Sequence, residues 1–353
     1  MGTTFSRLLF FLLFFSFSGN SQVCDSIKHT CDSTFDKSPA GIMIGHPHPK
    51  GVWMLSYRFM FMNMNDLLEN GIRVDQGQIF NSYLMAPSEM QMQMHMLMIM
   101  YGISARFTVM AMVNYQAQAM HMDMFSSVDH VHMDPNGQHN HDGMHASTHG
   151  FSDTKLTLIF NALEQTKHRI LASVGFSIPT GIISKTGDSN SMFPGLRQAY
   201  MMQNGTGTVD IQPGITYLLD QKKWSAGFQA FYTIRPYKNK YFYRYGNELE
   251  LNVWLSRQLG SRFSVSLRSL NLASGAISGA DPGLYVFSEP ATNPANYGGF
   301  KSALLAGINF HKPKAIFPNQ KFGIEAGRCI FQRGKGLQMA NRWIINANWT
   351  LTF

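Results

Sequence analysis

Residues 90–100 read MQMQMHMLMIM, with methionine at every second position from Met90 to Met100. A repeat of two is the strand period, because successive side chains of a β-strand point to opposite faces; in a helix the same spacing scatters sulfur around the whole circumference. The stretch is therefore a strand with one thioether face. Which way that face points decides what the protein can do.

The surrounding chain sets the context. It has 353 residues, of which only 14% are charged and 13% aromatic, an unusual balance for a soluble enzyme. Residues 1–21 read as a secretory signal peptide: one basic residue, Arg7, an apolar run from Leu8 to Phe17, then small residues around Ser21. No later apolar run approaches the ~18 residues of a membrane helix, so a mature chain that meets a membrane does so with strands. At the other end, NRWIINANWTLTF places Trp343, Ile345, Ala347, Trp349, Leu351 and Phe353 on one face and Ile344, Asn346, Asn348, Thr350 and Thr352 on the other. An apolar face with interfacial tryptophans opposite a mostly small polar one is the pattern of a lipid-facing barrel strand. A last strand ending on Phe matches the assembly signal of Gram-negative outer-membrane proteins.

Strand-like segments recur at about 52–64, 90–101, 107–124, 151–161, 169–178, 208–219, 224–235, 247–259, 263–271, 301–311, 321–332 and 341–353. Short connections such as GISAR, DQKK and GSR alternate with long ones at 65–89, 125–150, 179–207 and 272–300. The expectation is an all-β transmembrane antiparallel barrel of about 12 strands, with short periplasmic turns and long extracellular loops. Closure also removes exposed strand edges. A soluble two-sheet sandwich would need neither the terminal Phe strand nor the loop asymmetry. The expected domains are the signal peptide 1–21, an N-terminal periplasmic segment 22–51 and the barrel 52–353, in a Gram-negative outer membrane.

With faces assigned, methionine travels with the polar side. In 107–124, Phe107, Val109, Ala111, Val113 and Tyr115 form the apolar face, and Met110, Met112, Met120, Met122 and Met124 share the other with Thr108, Asn114, Gln116 and Gln118. In the first strand Met54, Met60 and Met62 alternate with Trp53, Tyr57, Phe59 and Phe61. If Met98 pairs with Met110 and Met96 with Met112, the sulfurs, Met94 and Met100 included, meet in the lumen and His95 falls near lipid. A bulge near His95 would reconcile the two halves of that strand.

Nineteen of the 24 methionines fall between Met43 and Met144, so uniform composition bias is excluded. Thioethers suit soft ions such as cuprous copper or silver, here as cargo rather than as a resident cofactor. Methionine also fills narrow spaces as an adaptable apolar side chain. The loop at 125–150 carries His130, His132, His139, His141, His145 and His149 among Asp129, Asp134 and Asp142, a composition suited to divalent transition metal or to a solvated loop. Cys24 and Cys31 frame His29, a disulfide by default in an oxidising compartment. His46 and His48 lie in a proline-stiffened linker beside Met43.

The segments HPHPKGVWMLSYRFMFMNM, MQMHMLMIMYG with FTVMAMVNY, then SIPTG, SGADPGL and LLAGINF resemble the Met-rich branch of outer-membrane transporters grouped with the phenol-degradation meta-pathway barrel family. The resemblance spans roughly 41–353 and implies an outer-membrane channel; the family label suggests small aromatic cargo, whereas the sulfur suggests metal. No catalytic residues carry over. A hydrolase would need a serine beside His168 or His311, and neither sits in a nucleophile motif. The net charge of +8 comes without a basic run or stacking platform, so it fits contact with outer-membrane lipid headgroups and not nucleic acid. The remaining partners expected are the outer-membrane assembly machinery and the cargo. The reading is a non-enzymatic channel for copper or silver, with passive passage of small apolar or aromatic solutes as the alternative.

Overall fold

The computed structural model describes residues 36–124, 144–187, 195–312 and 319–353. The expected signal peptide 1–21 and Cys24, Cys31, His130, His132, His139 and His141 lie outside these residues.

Twelve strands form the wall: β1 (Trp53–Glu69), β2 (Met85–Gly102), β3 (Phe107–Met124), β4 (Thr154–Glu164), β5 (His168–Ile178), β6 (Asp210–Asp220), β7 (Trp224–Thr233), β8 (Glu248–Leu259), β9 (Phe263–Ser274), β10 (Gly299–Lys312), β11 (Gln320–Gly334) and β12 (Leu337–Thr352). Each pairs antiparallel with its neighbours in sequence, and β12 returns to pair with β1, Met54 opposite Thr352. The barrel is closed, with every expected segment present. Beyond the point where β4 leaves β3, the strand Met144–Phe151 continues the pairing, Tyr115 opposite Phe151 and His121 opposite His145.

The period of two sorts the side chains. Leu97, Ile99, Val109, Val113, Leu156, Val174, Phe228, Val253, Leu267, Ile308, Ile324 and Trp343 are exposed around the outside, while Ser56, Thr108, Gln229, Ser256, Asn309 and Asn348 are buried within. An exposed apolar belt over a polar interior is the inverse of a soluble protein and suits hydrocarbon outside. The fold is that of an outer-membrane β-barrel. Turns at 103–106, 165–167, 221–223 and 260–262 are short, and 70–84, 179–209, 234–247 and 275–298 are long; at the long-loop end only 335–336 is short. Trp53 and Phe353 lie at the short-turn, periplasmic end.

Three expectations change in detail. Met98 pairs with Met112 and Met100 with Met110, two residues from the expected register. The cause is the four-residue turn 103–106, in which Ile103 N donates to Phe107 O and Gly102 stands opposite Thr108. An even offset leaves every face unchanged. No bulge occurs at His95; pairing runs unbroken from Glu89 to Gly102, and the irregularity falls between Pro87 and Glu89. His95 faces outward, where its Nδ1 and the Tyr57 hydroxyl are 2.7 Å apart between the Phe59 and Tyr115 rings. Finally, of the segment 22–51, the part from Asp36 onward enters the barrel: Ala40, Ile42, Ile44 and His48 are all at most 3% exposed.

Candidate functional site

The thioether face of β2 points into the lumen, and the register aligns it with the methionines of β1 and β3. Met54, Met100 and Met110 form one transverse row, Met98 and Met112 the next, and Met96 follows between Arg58 and Asn114. Above them Met94 stands between Met60 and Gln116, Met92 between Met62 and Gln118, and Met90 between Met64 and Met120. Six rows, each about 7 Å from the next, run the height of the wall. No charged residue occupies the lumen-facing positions of β2 or β3 from Met90 to Met120.

The rows differ in surroundings. The lower sulfurs, Met54, Met98, Met100, Met110 and Met112, are buried in one cluster with Ile42, Ile44, Phe231 and Trp254. At the mouth Met64, Met90, Met120 and Met122 are buried with Leu67, Ile79, Met85 and Met202. Between the two clusters Met60, Met62, Met92, Met94 and Met96 are only half-buried. Gln116 Nε2 donates to the Met92 sulfur at 3.4 Å. Met124, expected with the lumen set, is exposed at the far end of β3.

Residues 36–50 cross the lower lumen as a strap held to the wall by polar contacts. Gln229 donates to Ile44 O at 3.1 Å, Arg58 donates to Ile42 O, and Asn309 and Lys321 donate to Ser38 O at 3.1 and 2.7 Å. Lys321 also pairs with Asp36 at 2.7 Å, and Lys37 Nζ donates to Gln221 O at 2.9 Å. Burial raises the Asp36 carboxyl, but the Lys321 and His46 charges together with hydrogen bonds from Lys321 and Ser38 N outweigh it and hold the group well below the usual carboxylate range. Burial pushes the His46 imidazole down and takes His48 to about 3, with His46 beside it adding to the shift. The two rings meet edge-on at 4.7 Å. Gly41 has no room for a side chain, since a Cβ there would enter the Arg268–Glu325 ion pair.

That ion pair marks the opposite wall. Arg268 also donates to Asn252 at 2.7 Å, and Asn346 donates to Glu325 at 2.8 Å, so both charges are buried but partnered. The lumen is thus two-sided: the sulfur rows lie on β1–β3, interspersed with Arg58, Asn114, Gln116 and Gln118, and the Arg268–Glu325 pair lies on β9 and β11. Over the mouth, Tyr200 and Tyr243 pack with Ile277 and Leu284, and Asp281 N donates to the Tyr200 hydroxyl at 2.9 Å.

The histidines of the long loop divide. His145 and His149 are exposed on the strand after the loop. His145 faces His121, its direct cross-strand partner, with ring centroids 4.0 Å apart. His121 carried no motif in the sequence and was visible only through pairing. Among the described residues no group of three or more His, Cys, Asp and Glu is arranged to hold a metal ion. His168 Nδ1 lies 2.7 Å from the Tyr217 hydroxyl, an arrangement without a serine nucleophile.

No protein-family model matches the sequence, and no curated protein matches it. Among solved structures, the COG4313 outer membrane channel from Pseudomonas putida F1 is similar at a TM-score of 0.56 and 11% identity, over 87% of this chain and 97% of that one. The P. putida toluene transporter TodX gives a TM-score of 0.41 at 8% identity, over 87% and 91% of the two chains. The transport unit of the Escherichia coli autotransporter AIDA-I gives 0.45 at 9%, over 91% and 95%. The first of these supports the barrel fold; the other two are too distant to bear on function.

Proposed function

We propose that this chain is an outer-membrane channel for small uncharged solutes of apolar or aromatic character, which pass along the thioether wall when the strap 36–50 shifts. The supporting observation is the seat of Ile42 and Ile44. The lower methionines, with Phe231 and Trp254, hold two aliphatic side chains in an apolar cluster within the conduction path, with Arg58 bonded to the strap backbone at Ile42 O beside it, and a surface that accepts isoleucine accepts a solute of like polarity. Methionine suits a seat that must be vacated and refilled, because its three rotatable bonds let it repack around different shapes. Gly41→Val drives a side chain into the Arg268–Glu325 pair and unseats the strap, leaving the thioether face of β1–β3 unchanged. Flux of a small aromatic into liposomes should rise severalfold in that variant, and unchanged flux with a folded barrel would remove the strap from the path.

A second reading, soft-cation cargo, is favoured by the unbroken succession of sulfur rows from Met54 to Met120. Copper or silver would step between weak neutral sites, since conduction requires binding loose enough to release. Replacing Met96, Met98, Met110 and Met112 together by leucine preserves volume and apolarity. Lost cuprous flux with retained aromatic flux selects the metal reading, and the reverse rejects it. On this reading His121 joins His145 and His149 in capturing divalent metal outside the membrane. Copper titration of His121→Ala/His145→Ala, with binding equal to that of the parent, would dismiss that capture role.

A further inference from the structure

The mouth of the barrel holds a cavity of about 50 Å3 whose lining includes Met85 of β2, Met122 of β3, Met202 of the turn Tyr200–Met202, and Glu289. The three thioethers are each at most 5% exposed and belong to one packed cluster. Glu289 is 6% exposed, and its Oε2 is fully buried without a hydrogen-bond partner among the described residues. A buried carboxyl oxygen without a donor is rare in folded proteins and requires a cause. Its backbone is not free to relieve it, because Glu289 O accepts from Thr292 N at 3.1 Å and from Thr292 Oγ1 at 2.7 Å.

The charged and titratable groups around it leave the carboxyl alone. Arg197 also lines the cavity, but its Nε donates to Asp281 Oδ2 at 2.6 Å, its Nη2 pairs with the other oxygen, and its guanidinium stacks on Tyr241 at 3.9 Å. The Tyr297 hydroxyl donates to Ala291 O at 2.7 Å and accepts from Met201 N, so it is spent on backbone. Tyr200 accepts from Asp281 N, and Tyr285 O accepts from the Ser288 hydroxyl. What remains is one carboxyl oxygen without a donor in a cavity whose lining includes three neutral thioether side chains.

We propose that this cavity is a binding site for a single soft monovalent cation, cuprous copper or silver, held by the thioethers of Met85, Met122 and Met202 with the Glu289 carboxylate as counter-charge. Volume decides against an organic ligand: benzene occupies a cavity of about 150 Å3, three times the space here. Donor chemistry decides against a hard or divalent ion, which would seek oxygen or imidazole where this site offers sulfur and one carboxylate. The site lies above the conduction path and does not depend on what the lumen passes. It uses Met85, Met202 and Glu289, which are remote from the alternating run in sequence.

The test uses the full-length barrel with silver as the probe. Methyl-labelled methionine resonances of Met85, Met122 and Met202 should shift together with one equivalent of silver, before those of the lumen methionines. Met85→Leu/Met202→Leu, with folding verified by its heat-resistant electrophoretic mobility, should weaken this first equivalent by at least tenfold. Glu289→Gln should weaken it by a similar factor and abolish its pH dependence; in the parent, protons compete as the pH falls through about 7, to which burial raises this carboxyl. Silver that shifts only lumen methionines, or a first equivalent unaffected by the double leucine variant, would overturn the proposal. The aromatic flux of the channel is unaffected in either event, so the two readings fail separately.

Discussion

Trp53 and Phe353 exchange two backbone hydrogen bonds, Trp53 N to Phe353 O at 2.8 Å and Phe353 N to Trp53 O at 2.9 Å. The first and last residues of the wall thereby close the twelve-strand ring. Both side chains are exposed on the lipid face. Closure and anchoring therefore depend on the same pair.

Deleting Phe353 removes both closing bonds at a net cost of about 1 kcal/mol each, and takes an aromatic from the interfacial belt. The variant should unfold from lipid at lower urea than the parent and assemble more slowly. Phe353→Leu, which keeps the backbone, should recover most of the urea midpoint.

Arg268→Met leaves Glu325 buried without its cation, a change that costs about 3–5 kcal/mol. Arg268→Met/Glu325→Gln should regain much of it, because two neutral groups need no charge compensation. Urea titrations of both variants, compared with the parent, measure the coupling.

The strap should loosen in acid. Burial pushes the His48 imidazole down to about 3, against 6.5 for a free histidine, so its seating is complete above pH 6.5 and weakens as the pH falls below that value. At pH 5 the loss amounts to about 2 kcal/mol from this residue, and His46, also depressed, adds in the same direction. Channel conductance in planar bilayers should rise between pH 6.5 and 5. His48→Gln, which cannot charge, should flatten the response.

Glu289 gives the opposite slope. Its carboxyl sits at about 7 in the folded barrel against 4.5 as a free side chain, so the folded state holds the extra proton between those values and stability declines as the pH rises from 4.5 past 7. The full effect is about 3 kcal/mol. Glu289→Gln should match the parent near pH 4 and protect the amides of 288–297 from hydrogen exchange more strongly at pH 8. Equal protection at pH 8 would show that the carboxyl is already compensated.

Much of this architecture was legible before any coordinates. Strict alternation in 107–124 and 341–353 fixes strand and face together, because a one-residue slip would turn Val109 and Trp349 inward; in 90–100 it fixes the strand but not the face, since Gln91, Gln93 and His95 share the parity of Leu97 and Ile99. The β2–β3 pairing was misplaced by two residues, since alternation is blind to even shifts and only the hydrogen bonds of 103–106 set the turn. The strap was not legible. GIMIG is too short to show a period, and a pair of histidines between prolines reads as linker; its burial comes from long-range bonds to Arg58, Gln229, Asn309 and Lys321. Glu289 was hidden for the same reason: one acid in a loop signals nothing until the fold places it in the lining of one cavity with Met85, Met122 and Met202.

Ile42 and Ile44 also decide which sulfurs an oxidant can reach. Seated, they shield Met54, Met98, Met100, Met110 and Met112, while Met60, Met62, Met92 and Met94 remain accessible above them. Peroxide converts an accessible thioether to a sulfoxide, which is polar and no longer an apolar surface. Damage while the strap is in place is confined to the middle rows. Damage while it is out reaches the seat, spoils the surface to which the isoleucines return, and leaves a channel that reseals only after the sulfoxides have been reduced.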